Sequence, residues 1–462
     1  MLKSGCAMVA GTLAMSGYKL TDTYYLGLVG TQPQAAMTYS FPVILILGCI
    51  FHGITVGITA PVSQALGRGD RDEAARLTSS GLLCLAVFSI LLGAAGMATS
   101  HYAFALQGAS GKTLEMVIAY MNIWFLGCVT SSIGSAGNGL LIATGDTFVA
   151  SAMMIFGLVC NVILDPVFIF GFAGIPRMEL SGAALATVIS QFLSALFVLM
   201  VLRRRYRLVV FSGLPLESMV KRWGKILRFA VPATMGMLMM PIGTAIITRV
   251  ASGFGDAAVA ALGVGGKIEM LAFVFPMSVG MSLMPLVGQN FGACLYSRID
   301  AARRFSTHFV EIFLLAMAVL YSVFARPLAG IFTKDPEVLE YTVLFLRIVP
   351  WGFWGIETHR FAGFFFTGVG LPNCAAWLNA LRILVLLIPL SLLALLFNDV
   401  VVLFWARLAS DITASLVGLC GARILTRGLP QDLQPHPEFI QRPWYLGFVN
   451  IFRMYPPKKE LS

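Results

Sequence analysis

Apolar residues run along this chain in long unbroken stretches instead of alternating with polar ones. Read between charged or Gly/Pro breaks, twelve stretches stand out, near residues 5–30, 36–66, 77–101, 114–143, 147–173, 180–202, 226–251, 257–291, 305–327, 338–367, 372–397 and 400–425. Each is about the length at which an α-helix crosses a hydrocarbon core. Continuous apolar runs predict helices and not a β-barrel, whose strands alternate between lipid-facing and lumen-facing positions. The pattern therefore predicts an all-α membrane protein with twelve transmembrane helices.

The polar breaks organise these stretches. The longest, 203–225, reads as a linker between an N-terminal six-helix lobe (1–202) and a C-terminal one (226–428). The two halves echo each other. Gln64-x-x-Gly67 is answered by Gln289-x-x-Gly292, Ala74-Ala75-Arg76 by Ala301-Ala302-Arg303, Thr144-Gly145 by Thr367-Gly368, and Pro166 by Pro389. These matches fall in order, which predicts a parallel repeat of two lobes. Repeats of that kind are a hallmark of transporters. Residues 429–462 read as a polar cytoplasmic tail rich in proline (Pro430, Pro435, Pro437, Pro443, Pro456, Pro457), with a short interfacial segment around Trp444–Phe452 as its only expected element.

Composition agrees with lipid as the solvent. The 462 residues are 58% hydrophobic and 12% charged, against roughly a quarter charged in soluble domains. The net charge of +10 would suggest nucleic acid in a soluble protein, but here it reports orientation. Arg68, Arg71 and Arg76, then Arg203, Arg204, Arg205, Arg207, Lys221, Arg222 and Lys225, then Arg298, Arg303 and Arg304, all follow even-numbered stretches. The opposite side carries Lys112, Arg177, Arg326 and Lys334. The positive-inside rule then puts both termini in the cytoplasm. No cleavable signal is expected, because the first apolar stretch runs on without a small-residue cleavage site. The eight cysteines show no metal-like spacing and read as reduced packing residues.

A search for catalytic patterns finds none. The five histidines are dispersed, and HExxH, GxSxG and phosphate-loop motifs are absent from the sequence. No enzyme activity and no cofactor are expected, and transport must draw on an ion gradient or run downhill. Charges within the spans are the better guide, since each is costly in lipid. Tyr18 and Asp22 lie one helical turn apart on the first stretch, and Asn161 and Asp165 repeat that spacing on the fifth. Two carboxylates, an amide and a phenol suit a proton or a sodium ion. Lys19 pairs with Asp22 or reaches the interface.

The second half carries Lys267 and Glu269, then Glu357, His359 and Arg360, then Arg382, then Arg407 and Asp411. Arg407 and Asp411, four residues apart, are expected to form an intramembrane ion pair. Glu357 sits in the aromatic stretch from Trp351 through Trp354 to Phe366, which either lines a cavity for organic cations or packs the helices. Glu269 is a further candidate substrate contact. The Met235–Met240 run reads as adaptable packing, although a polyspecific pocket uses the same softness.

Several runs resemble the multidrug and toxic compound extrusion (MATE) family. Thr21-Asp22-Thr23-Tyr24-Tyr25-Leu26-Gly27 is similar to its first-helix signature, and Pro61 through Asp70 to its second-helix exit. Thr144-Gly145-Asp146, then Asn161 through Gly171, then Ser181 through Gln191 continue the likeness, which covers roughly residues 5–428. The resemblance implies two lobes around a V-shaped cleft and efflux of drugs or metabolites in exchange for protons or sodium. It also implies an ion site at Tyr18, Asp22, Asn161 and Asp165, with Thr187 as a further member. The chain starts almost inside its first helix, which suggests a start upstream. Small organic molecules and membrane lipid are the expected partners of a monomer in a bacterial or archaeal inner membrane. A lipid-linked oligosaccharide flippase of the same superfamily is the competing expectation, kept open by Arg347, Arg360 and Arg382.

Overall fold

The structure is a computed structural model that describes residues 8–15, 17, 21, 25, 28–172, 174, 176–210 and 215–430. Tyr18, Lys19, Asp22 and the tail beyond residue 430 lie outside the described residues. All regular structure among the described residues is helical. Among the described residues, nine helices are long and apolar enough to cross a membrane, and one bent helix pair makes a tenth. This is a multi-pass membrane protein. The chain clusters into two compact units that divide between Val231 and Pro232; they are called the N-unit and the C-unit below.

The N-unit opens with a helical stretch over residues 8–15. It continues with α1 (Thr31–Gly67), α2 (Arg71–Leu106), α3 (Gly111–Leu126), α4 (Cys128–Ala143), α5 (Thr147–Phe170) and α6 (Glu179–Arg204). Helix α7 (Leu216–Ala251) begins in this unit and contains Pro232, where the division falls. Acidic N-caps set the starts. Asp70 accepts from the Glu73 amide at 3.0 Å and Asp146 from the Val149 amide at 3.2 Å, each satisfying one of the open donors of a helix N-terminus. Helix α6 lies close against α5. A Cβ on Gly182 would fall 2.3 Å from the Phe168 carbonyl oxygen, so only glycine fits there.

The C-unit holds the rest of α7, then α8 (Asp256–Gly292), α9 (Tyr296–Val323), α10 (Ala325–Phe332) and α11 (Pro336–Ile348). A 3₁₀ turn over Val349–Gly352 leads into α12 (Phe353–Gly368). Then come α13 (Pro372–Ala380), a π-helical turn (Leu381–Leu387), α14 (Ile388–Phe397) and α15 (Val400–Arg427). Its core is aromatic. Phe273 and Phe353 pack with centroids 5.0 Å apart, and the buried Tyr321 hydroxyl donates to the Ile268 carbonyl at 3.0 Å. Phe353, Phe361 and Phe365 are buried, and Trp354 packs against the same core. The aromatic stretch around Glu357 is therefore mostly helix packing.

The two units share several features. Helices α1 and α8 are both 37 residues long, and α4 and α12 are both 16. The stretch expected as one helix over 114–143 is two helices bent by 51° at Gly127. Its counterpart over 338–367 breaks at the 3₁₀ turn that carries Pro350 and ends at Gly352. Each break packs against a later helix of its own unit, the first against α6 and the second against α15. A Cβ on Gly127 would meet Val188 at 2.3 Å, and one on Gly352 would meet Leu408 at 3.0 Å. Hydropathy alone did not reveal these breaks, because they occur inside continuous apolar runs. The methionines of α7 also differ from the packing expectation: Met235, Met237 and Met240 are exposed.

Candidate functional site

Asn161 and Asp165 sit one turn apart on α5, and both are fully buried. Asn161 Nδ2 donates to Asp165 Oδ1 at 3.1 Å. Pro166 follows directly within the helix and removes the amide that would have bonded the Val162 carbonyl. Thr187 lies on the neighbouring α6 and is 7% exposed. Two described residues ahead of α1, Gly17 and Tyr25, meet α5 before and after this pair. A Cβ on Gly17 would sit 3.6 Å from Leu158 Cδ2, and the Tyr25 ring meets Phe170 edge-on with centroids 6.2 Å apart. Leu158 and Phe170 bracket Asn161 and Asp165 on α5. Chemically, a buried carboxylate with an amide oxygen beside it offers hard oxygen donors to a proton or a sodium ion.

The C-unit treats its buried charges differently. Arg407 Nη2 donates to Glu269 Oε1, joining α15 to α8. Arg382, in the π-helical turn, donates through Nε and Nη2 to Asp411 Oδ1 at 2.7 Å. Arg360 Nη1 donates to Glu357 Oε1 at 2.5 Å within α12. The expected Arg407–Asp411 pair is present but loose, at 3.9 Å, because each partner has a nearer one on another helix. Arg407 and Arg360 also lie over the Phe345 and Phe273 rings, at 5.7 and 5.8 Å. His359 Nε2 and Asn379 Oδ1 are 3.0 Å apart. Glu357 is fully buried and Glu269 nearly so, whereas Trp351 is 41% exposed. Of the residues expected to meet substrate, only Trp351 is openly accessible in this conformation. Three carboxylates and three guanidiniums leave this cluster with no net formal charge.

A third polar cluster lies at the linker. Asp146 Oδ2 accepts from Arg205 Nη2 at 2.8 Å and from the Tyr206 hydroxyl at 2.6 Å. Burial, followed by the Asp146 carboxylate, holds the Tyr206 phenol well above its ordinary range, so it stays a donor. Val210 N donates to Ser79 Oγ at 2.8 Å, Trp223 Nε1 to the Ser80 carbonyl at 2.9 Å, and Arg222 pairs with Glu73 at 3.5 Å. Residues 205–210 and 222–223 are thus pinned to the N-terminal part of α2 and the start of α5. Sequence reading missed this clamp. Its signal was an aspartate N-cap on the side of the membrane that carries the arginines. Among the described residues, no group of three or more His, Cys, Asp or Glu is placed to hold a metal ion.

Comparison with known proteins bears on what these clusters serve. Over 419 residues the chain is 29% identical to a FAD transporter from Shewanella oneidensis, spanning 91% of this chain and 92% of that protein. It is 25% identical over 337 residues to a probable multidrug resistance protein, NorM, from Thermotoga maritima, covering 72% and 71% of the two. Its fold superposes on the crystal structure of the Vibrio cholerae MATE transporter VcmN in the bent form with a TM-score of 0.86 and 25% identity. That match covers 92% of this chain and 96% of the other. The MatE family model matches residues 7–167 and again 232–393, once in each unit. By that double match the chain belongs to the MatE family, and it is a MATE transporter.

Proposed function

We propose that this protein is a secondary active exporter that couples outward movement of an amphiphilic organic compound to inward movement of a proton or sodium ion. The coupling site is Asp165 and Asp22, with Asn161 and Tyr18 as neutral partners and Thr187 alongside. The observation that carries this reading is the buried Asn161–Asp165 pair, flanked on α5 by the contacts of Gly17 at Leu158 and of Tyr25 at Phe170. Two carboxylates brought together in a membrane cost at least about 2.5–3.5 kcal/mol each on insertion scales, a cost that a site for a moving cation justifies. The basic loops support an orientation with both termini in the cytoplasm of a bacterial or archaeal cell.

For the substrate, a flavin dinucleotide comes first. The support is the FAD transporter relative, whose likeness runs through nearly the whole of both chains. Exposed Trp351 offers a flat ring for an isoalloxazine or adenine to stack on. Export of organic cations is the second reading, favoured by the multidrug resistance relative and by the exposed methionines of α7. Purified protein in liposomes separates the two. With an imposed proton or sodium gradient, FAD should move against its own gradient and ethidium should not. Ethidium transport without FAD transport would assign the chain to drug efflux, and movement of neither under any gradient would defeat both readings.

A further inference from the structure

A cavity of about 650 Å³ opens in the C-unit between the start of α9 and the end of α15. Four arginines line it, Arg303 and Arg304 from α9 and Arg423 and Arg427 from α15, against one carboxylate, Asp300. Asp300 is already engaged. Its Oδ1 accepts from Arg303 Nε and Nη2 at 3.1 and 2.7 Å, and Arg304 Nε lies 3.1 Å from its Oδ2. Arg423 and Arg427 are exposed and have no ion-pair partner among the described residues. The positive-inside rule explains the sign of these charges but not why two helices bring four of them to one cavity. Asp300 fixes the Arg303 and Arg304 guanidiniums in place, which removes part of the ordering cost of binding. Such a fork of preset guanidiniums matches the oxygens of a phosphate.

The apolar residues next along the chain to these arginines, outside the cavity lining, show which phosphate has access. Phe305, next to Arg304, is 40% exposed, and Ile424, next to Arg423, is 73% exposed. Basic residues beside exposed apolar ones at the end of membrane spans mark the level of lipid headgroups. We propose that this cavity is a binding site for the phosphate of an anionic lipid headgroup, with the acyl chains lying over Phe305 and Ile424. A soluble phosphate compound shares the headgroup's chemistry and is the alternative source. The site lies wholly in the C-unit and uses none of the coupling residues.

The full chain in nanodiscs tests this by native mass spectrometry, with phosphatidylglycerol at low fraction in phosphatidylcholine. Wild type should retain phosphatidylglycerol in preference to phosphatidylcholine. The double variant Arg423→Gln, Arg427→Gln should bind it about 30-fold more weakly, from roughly 1 kcal/mol per basic residue. Both positions are exposed, so the variant should keep its fold, and unchanged thermal unfolding would verify that. A separate arm adds inorganic pyrophosphate to protein in pure phosphatidylcholine nanodiscs. Binding of pyrophosphate without any lipid preference would overturn the lipid assignment and leave a soluble ligand as the source. Equal phosphatidylglycerol retention by wild type and variant, with no pyrophosphate binding, would overturn the site altogether.

Discussion

Asp165 in the N-unit takes a hydrogen bond from an amide on its own helix, whereas in the C-unit Glu269, Glu357 and Asp411 each face a guanidinium. The scaffolds around them share a 37-residue helix, α1 in one and α8 in the other, and a break between α3 and α4 that is answered by one between α11 and α12. The chemistry differs between two units that share these features. A carboxylate paired with an amide can take up and release a cation while its partner stays neutral. A carboxylate paired with arginine has its counter-charge built in, and releasing it would strand two ions in a low-dielectric interior. On this account the N-unit moves the coupling ion, and the Glu269–Arg407 and Arg382–Asp411 pairs tie helix α8 and the π-helical turn to α15.

The largest expected effect comes from splitting one C-unit pair. Arg382→Met leaves Asp411 without its nearer partner and should destabilise the protein by about 3–5 kcal/mol. Adding Asp411→Leu should recover most of that loss, as seen in thermal unfolding of purified protein. If the single variant is as stable as wild type, the C-unit charges are not structural and the contrast between the units fails. Next in size are the two helix breaks. Gly127→Ala drives a methyl into Val188 and should cost about 1–3 kcal/mol, with relief from Val188→Ala. Gly352→Ala meets Leu408 Cδ1 at 3.0 Å, with Leu408 Cα and Asp411 Cβ at ordinary contact distances of 3.5 and 3.6 Å, and should cost less; the reverse order would mean the repeated breaks are not equivalent packing joints. Smallest is the linker clamp. Trp223→Phe removes one hydrogen bond to the Ser80 carbonyl, worth about 1 kcal/mol. Hydrogen exchange should then rise at the start of α2 and stay unchanged in the C-unit. Faster exchange in α8 or α15 would show that the linker does not belong to the N-unit alone.

Much of the fold was legible from the apolar runs, because a membrane span needs a long continuous one and polar loops have nowhere else to go. The helix breaks were not, since Gly127 and Pro350 interrupt the backbone without interrupting the hydropathy. Asn161 and Asp165 could be read as a pair because their contact is local, one turn of one helix. The Glu269–Arg407 and Arg382–Asp411 contacts could not, because they join distant helices. The i, i+4 rule instead pointed to Arg407–Asp411, which the structure leaves at 3.9 Å. The aromatic stretch was ambiguous for a related reason. A phenylalanine that packs a helix and one that lines a cleft look alike until their neighbours are known.

The central claim is that the coupling ion binds at Asp165. The most direct test is Asp165→Asn in liposomes, with gradient-driven transport and gradient-free substrate exchange measured side by side on protein of verified fold. The account predicts that gradient-driven transport falls to the level of empty liposomes while exchange continues. Gradient-driven transport at the wild-type rate would contradict it and move the search to Glu269.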